Sequence, residues 1–423
     1  MIWLYRLLML LLSPLIDLWF GWRILIGKEA KGRLKERLGQ PSQPRPSGPL
    51  VWFHGASVGE TLSLLPLLSA LREQAPELTL LVTSGTVTSA RLMAERLPVG
   101  IIHQMIPLDY GLAVNMFMRH WQPTVSVFVE SEFWPELLWQ APHPIIINAR
   151  LSARSAERFA CTDWFWQPFW HRLKAAYAQT EADASRLQGL GIRHVTTAGN
   201  LKYDAPPPPA NPAQLDDLKH TIGDRPVLLA ASTHAPEEEH IADIHSAIGA
   251  SYQVSRLLTI IVPRHPHRGP AIAAALARRG HKVACRSKGG ALTPETQFYI
   301  ADTLGELGLW YRLADVVIIG GSFIPHGGQN PLEALKCGKP ALSGPHMENF
   351  AGMVPILTRH DVLHVCADVP EAIERAGTLL ANPASAAALA GHIPATLSQL
   401  TGASGTLCHA ILSHVNQQRR MTS

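Results

Sequence analysis

The chain has 423 residues, 47% of them hydrophobic, with 37 Lys and Arg against 33 Asp and Glu; that is more than one ordinary core accommodates, so two domains are expected. The charge is lopsided: residues 1–48 hold eight Lys and Arg against Asp17, Glu29 and Glu36, a net of +5, which leaves −1 for the rest of a chain whose total is +4. A positive excess confined to one end argues against a general nucleic-acid binder, which spreads basic residues over a groove. The five scattered cysteines, Cys161, Cys285, Cys337, Cys366 and Cys408, form no CxxC pair and read as reduced thiols in a cytosolic setting.

Residues 1–27, MIWLYRLLMLLLSPLIDLWFGWRILIG, come first. Leu7 to Ile26 is long enough to cross a hydrocarbon layer, but Pro14, Asp17 and Arg23 interrupt it, and an acid near the centre of a span costs about 2.5–3.5 kcal/mol. Membrane attachment is expected, by spanning the bilayer or by lying in it. No small-residue cleavage pattern follows. Instead a basic juxtamembrane segment, residues 28–48, carries Lys28, Lys31, Arg33, Lys35 and Arg37, which the positive-inside rule holds on the cytoplasmic side beside anionic headgroups. The alternative is a buried core helix with a solvated basic continuation.

From residue 49 to 204, strand-like runs alternate with amphipathic stretches: PLVWFH, LTLLVTS, VGIIHQMIP, TVSVFVE, PIIINAR, AAYAQT and HVTTAG. This is the rhythm of a doubly wound α/β sheet. The proline run APPPPANP, residues 205–212, reads as a stiff linker. The pattern restarts over residues 213–423 with PVLLAAST, LLTIIVPRH, HKVACRS, QFYIAD, DVVIIGGS and KPALSGP; the last helix has the option of returning to the first half. Two α/β halves on a short linker imply a cleft between them.

Chemistry is expected at the carboxyl ends of these strands, where open α/β sheets bind ligands. In WFHGASVGE, residues 52–60, a strand ends in small turn residues and reaches Glu60, with the helix TLSLLPLLSALRE following. VSVFVESEFWPE places Glu130 and Glu132 just past another strand, where extended backbone would point them opposite ways. GNLKYD, residues 199–204, brings Lys202 to the end of the last strand of this half. In the second half, IIGGSFIPHGGQNPLEALKCGKP runs from a strand through Gly320, Gly321, Ser322, Gly327 and Gly328 to a helix opened by Asn330 and Pro331. Such an approach offers free backbone N–H groups to a phosphate, and Glu333, one turn in, suits ribose hydroxyls. Arg264, in VPRHPHRG, suits a phosphate bidentately. The neighbouring His265 and His267, lacking a third ligand, read as solvated loop residues. Glu237, Glu238 and Glu239 in AASTHAPEEE read as an exposed first helical turn, and GELGLWY, residues 305–311, as a glycine-flanked turn before a helix.

The strings HGASVGE, ESEFWPE, NARLSARSAER, QTEADASRL, GNLKYD, AASTHAPEE, VPRHPHR, GELGLWY and GGSFIPHGGQNPLEA, in this order, resemble the bacterial 3-deoxy-D-manno-octulosonic acid (Kdo) transferases of lipopolysaccharide assembly. The resemblance runs from the apolar amino end to about residue 355. It implies an α/β GT-B glycosyltransferase fold of two Rossmann-like domains facing a central cleft, with an N-terminal apolar membrane-associated helix. It also implies a CMP-Kdo donor, a lipid A precursor as acceptor, no cofactor, no metal, and attachment to the cytoplasmic face of the inner membrane. Motif by motif, Glu60 corresponds to the catalytic base, and Glu130 and Lys202 to groups assisting at the transition state. Pro263, Arg264, Gly305, Glu306, Leu307, Asn330, Pro331, Leu332 and Glu333 correspond to the CMP-binding set.

The sequence departs from the family where Gly55 replaces the usual Ala, Gln329 the usual His and Pro236 the usual Gly. Its SGTVTSARLM, residues 84–93, stands where the family has a Thr-rich segment. Two other readings stay open: a GT-B enzyme using a UDP-sugar on another envelope lipid, and a non-catalytic membrane-bound protein with a nucleotide cleft.

Overall fold

Runs of apolar and β-branched residues, most of them buried, build two parallel sheets in the computed structural model, which describes residues 2–252, 254 and 256–422. The chain divides into two units, Met1–Ala205 with Thr401–Ser423, and Pro206–Leu400.

The first unit contains β1 (Leu50–His54), β2 (Thr79–Ser84), β3 (Ile102–Met105), β4 (Val125–Val129), β5 (Pro144–Ala149), β6 (Ala175–Ala178) and β7 (Val195–Thr197). They pair in the order β3-β2-β1-β4-β5-β6-β7, all in parallel. Every residue of β1 and β4 is buried, as a sheet covered on both faces requires. The alternation of side chains divides the core in two. Trp52 and Phe128 pack with Phe117, Trp121 and Trp170. Val51, Phe53 and Val127 pack with Leu67 and Leu71. That second layer is completed from the far end of the chain: the helix Ala403–Thr422 contributes Leu407, Ile411 and Val415. Its start is pinned by the Asp204 carboxylate, which accepts from Gly402 N at 2.8 Å and from the Ser404 hydroxyl.

The second unit contains β8 (Val227–Thr233), β9 (Leu258–Pro263), β10 (Val283–Cys285), β11 (Phe298–Ile300), β12 (Val316–Ile319), β13 (Ala341–Ser343) and β14 (Leu363–Val365), in the order β10-β11-β9-β8-β12-β13-β14. Strand β14 has no counterpart among the sequence runs, because it is three residues long and only its first is fully buried. Part of the proline run packs against the helix Leu307–Leu313: Pro208 O accepts from Arg312 Nη1 at 2.7 Å. A Cβ on Gly308 would lie 2.3 Å from both Pro208 O and Pro209 O, so this contact needs glycine.

The N-terminal helix Ile2–Leu25 contains Pro14. Among the described residues no single helix is long and apolar enough to cross a membrane; the pieces Ile2–Ile16 and Leu18–Leu25, bent by 42°, pass that test only together. One stripe of the helix is docked on the first unit. The Tyr5 hydroxyl donates to Asp109 Oδ2 at 2.7 Å, and Arg6 pairs with the fully buried Glu136 at 2.6 Å. Another stripe is bare, with Leu4 55%, Leu11 69% and Leu18 71% exposed. The basic segment after it is less free than its sequence suggests. Arg33 donates to His103 O and pairs with Glu36, while buried Arg37 donates to Ile106 O and faces Glu29. Lys28 and Lys35 remain exposed.

Candidate functional site

In each sheet the first strand of the unit is flanked by strands reached in opposite winding directions, β1 beside β4 and β8 beside β12. Such switch points are where doubly wound sheets open a crevice at their carboxyl ends. Glu60 follows β1 and Glu130 follows β4; Thr233 ends β8 and Gly320 follows β12. The candidate residues therefore cluster at the two positions the topology favours.

Glu60 lies inside a helix, not in a turn ahead of one. The helix begins at Val58 and breaks after Ser63, before a second helix, Leu65–Gln74. The reason is local: Ser57 and Glu60 form a capping box, satisfying N–H groups that a helix start leaves unpaired. Ser57 Oγ accepts from Glu60 N at 3.3 Å, and Glu60 Oε2 accepts from Ala56 N at 2.8 Å. Glu60 Oε1 accepts from the Ser57 hydroxyl at 2.7 Å. The side chain remains half-buried. A Cβ on Gly55 would come within 3.2 Å of Glu60 Cβ, so the small residue before the turn lets the carboxylate fold back.

Glu130 is not in extended backbone. It takes a left-handed conformation, φ +57°, and its Oε1 accepts from Lys202 Nζ at 2.7 Å. Lys202 sits in a 3-10 turn, Leu201–Asp204, against which the Val58–Ser63 helix packs. Thus Glu130 and Lys202 meet directly, and Glu60 stands on the adjoining helix. One residue outside the predicted set ties into this group, and a second sits at the end of the neighbouring strand. Asn148, buried at the end of β5 with φ +49°, accepts from Leu201 N at 3.0 Å and donates to Glu130 Oε1 at 3.5 Å. His54, the last residue of β1, contacts Thr83 Oγ1 at 3.1 Å and lies 3.7 Å from Glu132 Oε2. Burial pushes the Glu132 carboxyl up, but hydrogen bonds from His54 and Trp134 and the charge of His54 outweigh it and leave Glu132 below the usual range. The visible signals were a lone Asn ending the apolar run IIIN and a His ending VWFH.

In the second unit the glycine approach is already filled. Gly321 N, Ser322 N and Phe323 N donate to the Glu237 carboxylate at 2.6, 2.9 and 3.0 Å, and His234 N adds a fourth bond at 3.0 Å. Glu237 is therefore 2% exposed, contrary to the expected solvated turn. Glu238 is buried as well, paired with Arg268 and accepting from Thr233 Oγ1; of the three acids, Glu239 is the exposed one. The anion this nest selects is the protein's own.

The predicted nucleotide set lies in this same unit. Pro263 ends β9, and Arg264 N donates to Thr233 O at 3.0 Å while its side chain stays exposed. Gly305 takes φ +84°, presenting Glu306 at the start of the helix Leu307–Leu313. The hydrogen bond from Arg286 holds the Glu306 carboxyl below the usual range, with Arg286 Nε 2.6 Å from Oε2. Asn330 turns the chain before Pro331, accepting from Leu332 N at 3.1 Å. The helix that follows, Leu332–Lys336, is only five residues long. Burial raises the Glu333 carboxyl above the usual range, opposed by Asn330, Lys336 and Arg264. Beside them His234 and His326 stack with ring centroids 4.0 Å apart, and Gln329 Nε2 lies 3.1 Å from His234 Nε2. Burial first, then His326, lowers the pKa of His234. Among the described residues no group of three or more His, Cys, Asp or Glu is placed to hold a metal ion.

Two Rossmann-like parallel-sheet units in one chain, each with candidate residues at its switch point, define an α/β protein of the GT-B fold class. A solved glycosyltransferase from Rickettsia africae superimposes with a TM-score of 0.57 over 88% of this chain and 99% of its own, at 11% identity, a likeness of fold. Residues 32–205 match a family profile described as 3-deoxy-D-manno-octulosonic-acid transferase (kdotransferase). A relative in Arabidopsis thaliana, named as a probable mitochondrial 3-deoxy-D-manno-octulosonic acid transferase, is 37% identical over 401 residues, 90% of this chain and 88% of its own. The 3-deoxy-D-manno-octulosonic acid transferase of Haemophilus influenzae is 33% identical over 389 residues, 89% of this chain and 90% of its own. The chain belongs to the 3-deoxy-D-manno-octulosonic acid transferase family.

Proposed function

We propose that this glycosyltransferase moves Kdo from CMP-Kdo to a lipid A precursor, lipid IVA, with inversion at the anomeric carbon and release of CMP. The observation that carries the reading is the group at the first unit's switch point: a half-buried carboxylate, Glu60, on a helix packed against the turn of a Glu130–Lys202 ion pair, in a chain of this family.

Glu60 accepts the proton of the acceptor hydroxyl as its oxygen forms a bond to the anomeric carbon. On the opposite side the bond from that carbon to the CMP phosphate oxygen breaks, and the electron pair leaves with CMP. One base and one displacement give inversion. The capping bonds hold the carboxylate in one rotamer, so little reorganisation accompanies proton transfer. Glu130 and Lys202 assist at the transition state; the ion pair fixes the ammonium where negative charge gathers. In the second unit Arg264 meets the phosphate, and Pro263, Gly305, Glu306, Leu307, Asn330, Pro331, Leu332 and Glu333 shape the nucleotide site. No metal or cofactor enters this scheme.

The bare stripe of the N-terminal helix, with Trp3, Leu7, Leu10, Trp19 and Trp22 all exposed, lies in the cytoplasmic face of the inner membrane as an interfacial anchor. There it meets a lipid acceptor, and the exposed lysines attract the acceptor's phosphates. Incubation with CMP-Kdo and tetra-acylated lipid A precursor, followed by product mass measurement, tests donor, acceptor and number of additions together. Turnover of a UDP-sugar and not CMP-Kdo would overturn the reading. Deletion of residues 1–27 should release the protein from membranes and leave CMP binding intact.

A further inference from the structure

A cavity of about 570 Å³ opens beneath the N-terminal helix, within the size range of small-molecule sites. Met9 and Ile16 of that helix form one wall; Ile106 and Leu108, after β3, form the other. Its inner end reaches His54 and Ala56, and Ala56 N is the group that holds the Glu60 carboxylate. Its outer end includes Leu15 and Trp19, 63% and 48% exposed, on the helix that bears the bare apolar stripe.

Most polar groups in the wall are engaged, Arg37 Nε being a buried donor without a hydrogen-bond partner. Asp109 accepts from Tyr5 and from Leu137 N, Arg37 donates to Ile106 O, and Arg23 pairs with Glu29 at 2.8 Å. What remains is an apolar channel leading from an exposed apolar helix face to the backbone beside Glu60. The lining is mostly apolar, which suits a hydrocarbon chain, and the polar groups at its inner end, His54 and the Ala56 backbone, lie where a head group at Glu60 would sit.

We propose that this cavity takes one acyl chain of the acceptor, drawn in under the N-terminal helix so that the attached sugar hydroxyl is delivered to Glu60. The inference rests on the transfer reading for the identity of its occupant. It makes the helix a wall of the acceptor site as well as an anchor, and makes acyl recognition a property of the first unit.

The test uses the full-length protein in two arms. In the first, a tetra-acylated lipid A precursor carrying a diazirine at the end of one acyl chain is photolysed with the protein in mixed micelles, and the labelled residues are read by mass spectrometry. Labels on Met9, Ile16, Ile106 and Leu108 are expected, falling at least fivefold in Leu108→Trp and in Ile16→Trp, each of which fills the cavity from a different wall. Hydrogen exchange of the first unit's strands serves as the check that both variants are folded. Labels confined to the outward residues Leu4, Leu11 and Leu18 would overturn the proposal.

The second arm measures transfer to short-chain acceptors kept below their aggregation threshold, so that the cavity competes with water and not with a bilayer. Removing two methylenes should raise KM about tenfold in the wild type, from the burial free energy of two CH2 groups, and leave KM nearly unchanged in Leu108→Trp. A wild-type KM independent of chain length would sink the idea. Absence of transfer to any acceptor, with the cavity walls still labelled, would refute the transfer reading and leave the acyl site standing.

Discussion

The two units place acids at equivalent positions and use them in opposite ways. At the switch point of the first unit, Glu60 is half-buried, fixed by three donors from its own capping turn. At that of the second, Glu237 is sealed in, its two oxygens filled by four backbone N–H groups, three of them from residues 321–323. A carboxylate held by local bonds keeps a face for an incoming ligand. One that joins two strand ends is structural, because leaving its partners unpaired in the interior is expensive. On the proposed reading, the same residue type divides between chemistry and architecture according to where its hydrogen-bond donors come from.

One substitution applied to both acids gives the sharpest contrast. Gln can still accept at the N3 position of a capping box, so Glu60→Gln should keep the fold, with stability changed by less than about 0.5 kcal/mol, while kcat falls by about 10²–10⁴. Steady-state kinetics with denaturant unfolding would show both; retained activity would break the assignment of the base. Glu237→Gln should do the reverse in its unit. Loss of the charge and of half the acceptor capacity should destabilise by about 3 kcal/mol in a urea titration, and a stable variant with weakened CMP binding would mean that Glu237 belongs to the ligand site after all.

Smaller effects refine the comparison. Asn148→Ala removes the bond to Leu201 N and frees Glu130 from one donor. A loss of about 2 kcal/mol is expected, together with a fall in kcat as the Glu130–Lys202 pair loses a support. The smallest effect concerns pH. His103, in the first unit, is lowered to about 3 by burial and then by Arg33, whose Nη1 lies 2.9 Å from its Nδ1. Since the folded pKa lies below the unfolded value, the unfolded chain takes up the proton first. This contribution is whole above about pH 6.5, and falls as the pH drops towards 3. At pH 5.5 the loss is of the order of 1 kcal/mol. His245, in the second unit, is lowered to about 4 by burial, then by His281 and Arg225, and acts in the same direction. His143, also in the first unit, is lowered to about 4 by burial, then by His414 and Lys174, so His103→Gln should lessen the acid response of the first unit without abolishing it and leave that of the second unchanged, as hydrogen exchange resolved by unit would report.

Much of the architecture was legible along the chain. Continuous apolar runs such as PIIINA are strands because only a sheet covered on both faces buries every residue of such a run, and the small residues after β1 and β12 marked its crevices. The placement of individual side chains was less so. The run TLSLLPLLSALRE suggested a helix after Glu60, yet the capping box starts it at Val58. Glu130 looked extended, yet turns left-handed to meet Lys202.

What the sequence alone determined is the kind of sheet, the strand ends that matter and the family motifs, since these follow from local periodicity and from residue types in fixed order. The tertiary structure alone decided that the glycine nest near residue 321 closes on Glu237, that Asn148 contacts the Glu130 carboxylate and the Leu201 backbone, and that one cavity is lined by both the N-terminal helix and Ala56. Each of these joins groups tens of residues apart, and a hydrogen-bond partner or a cavity wall exists only once the chain has brought such groups within a few ångströms of one another.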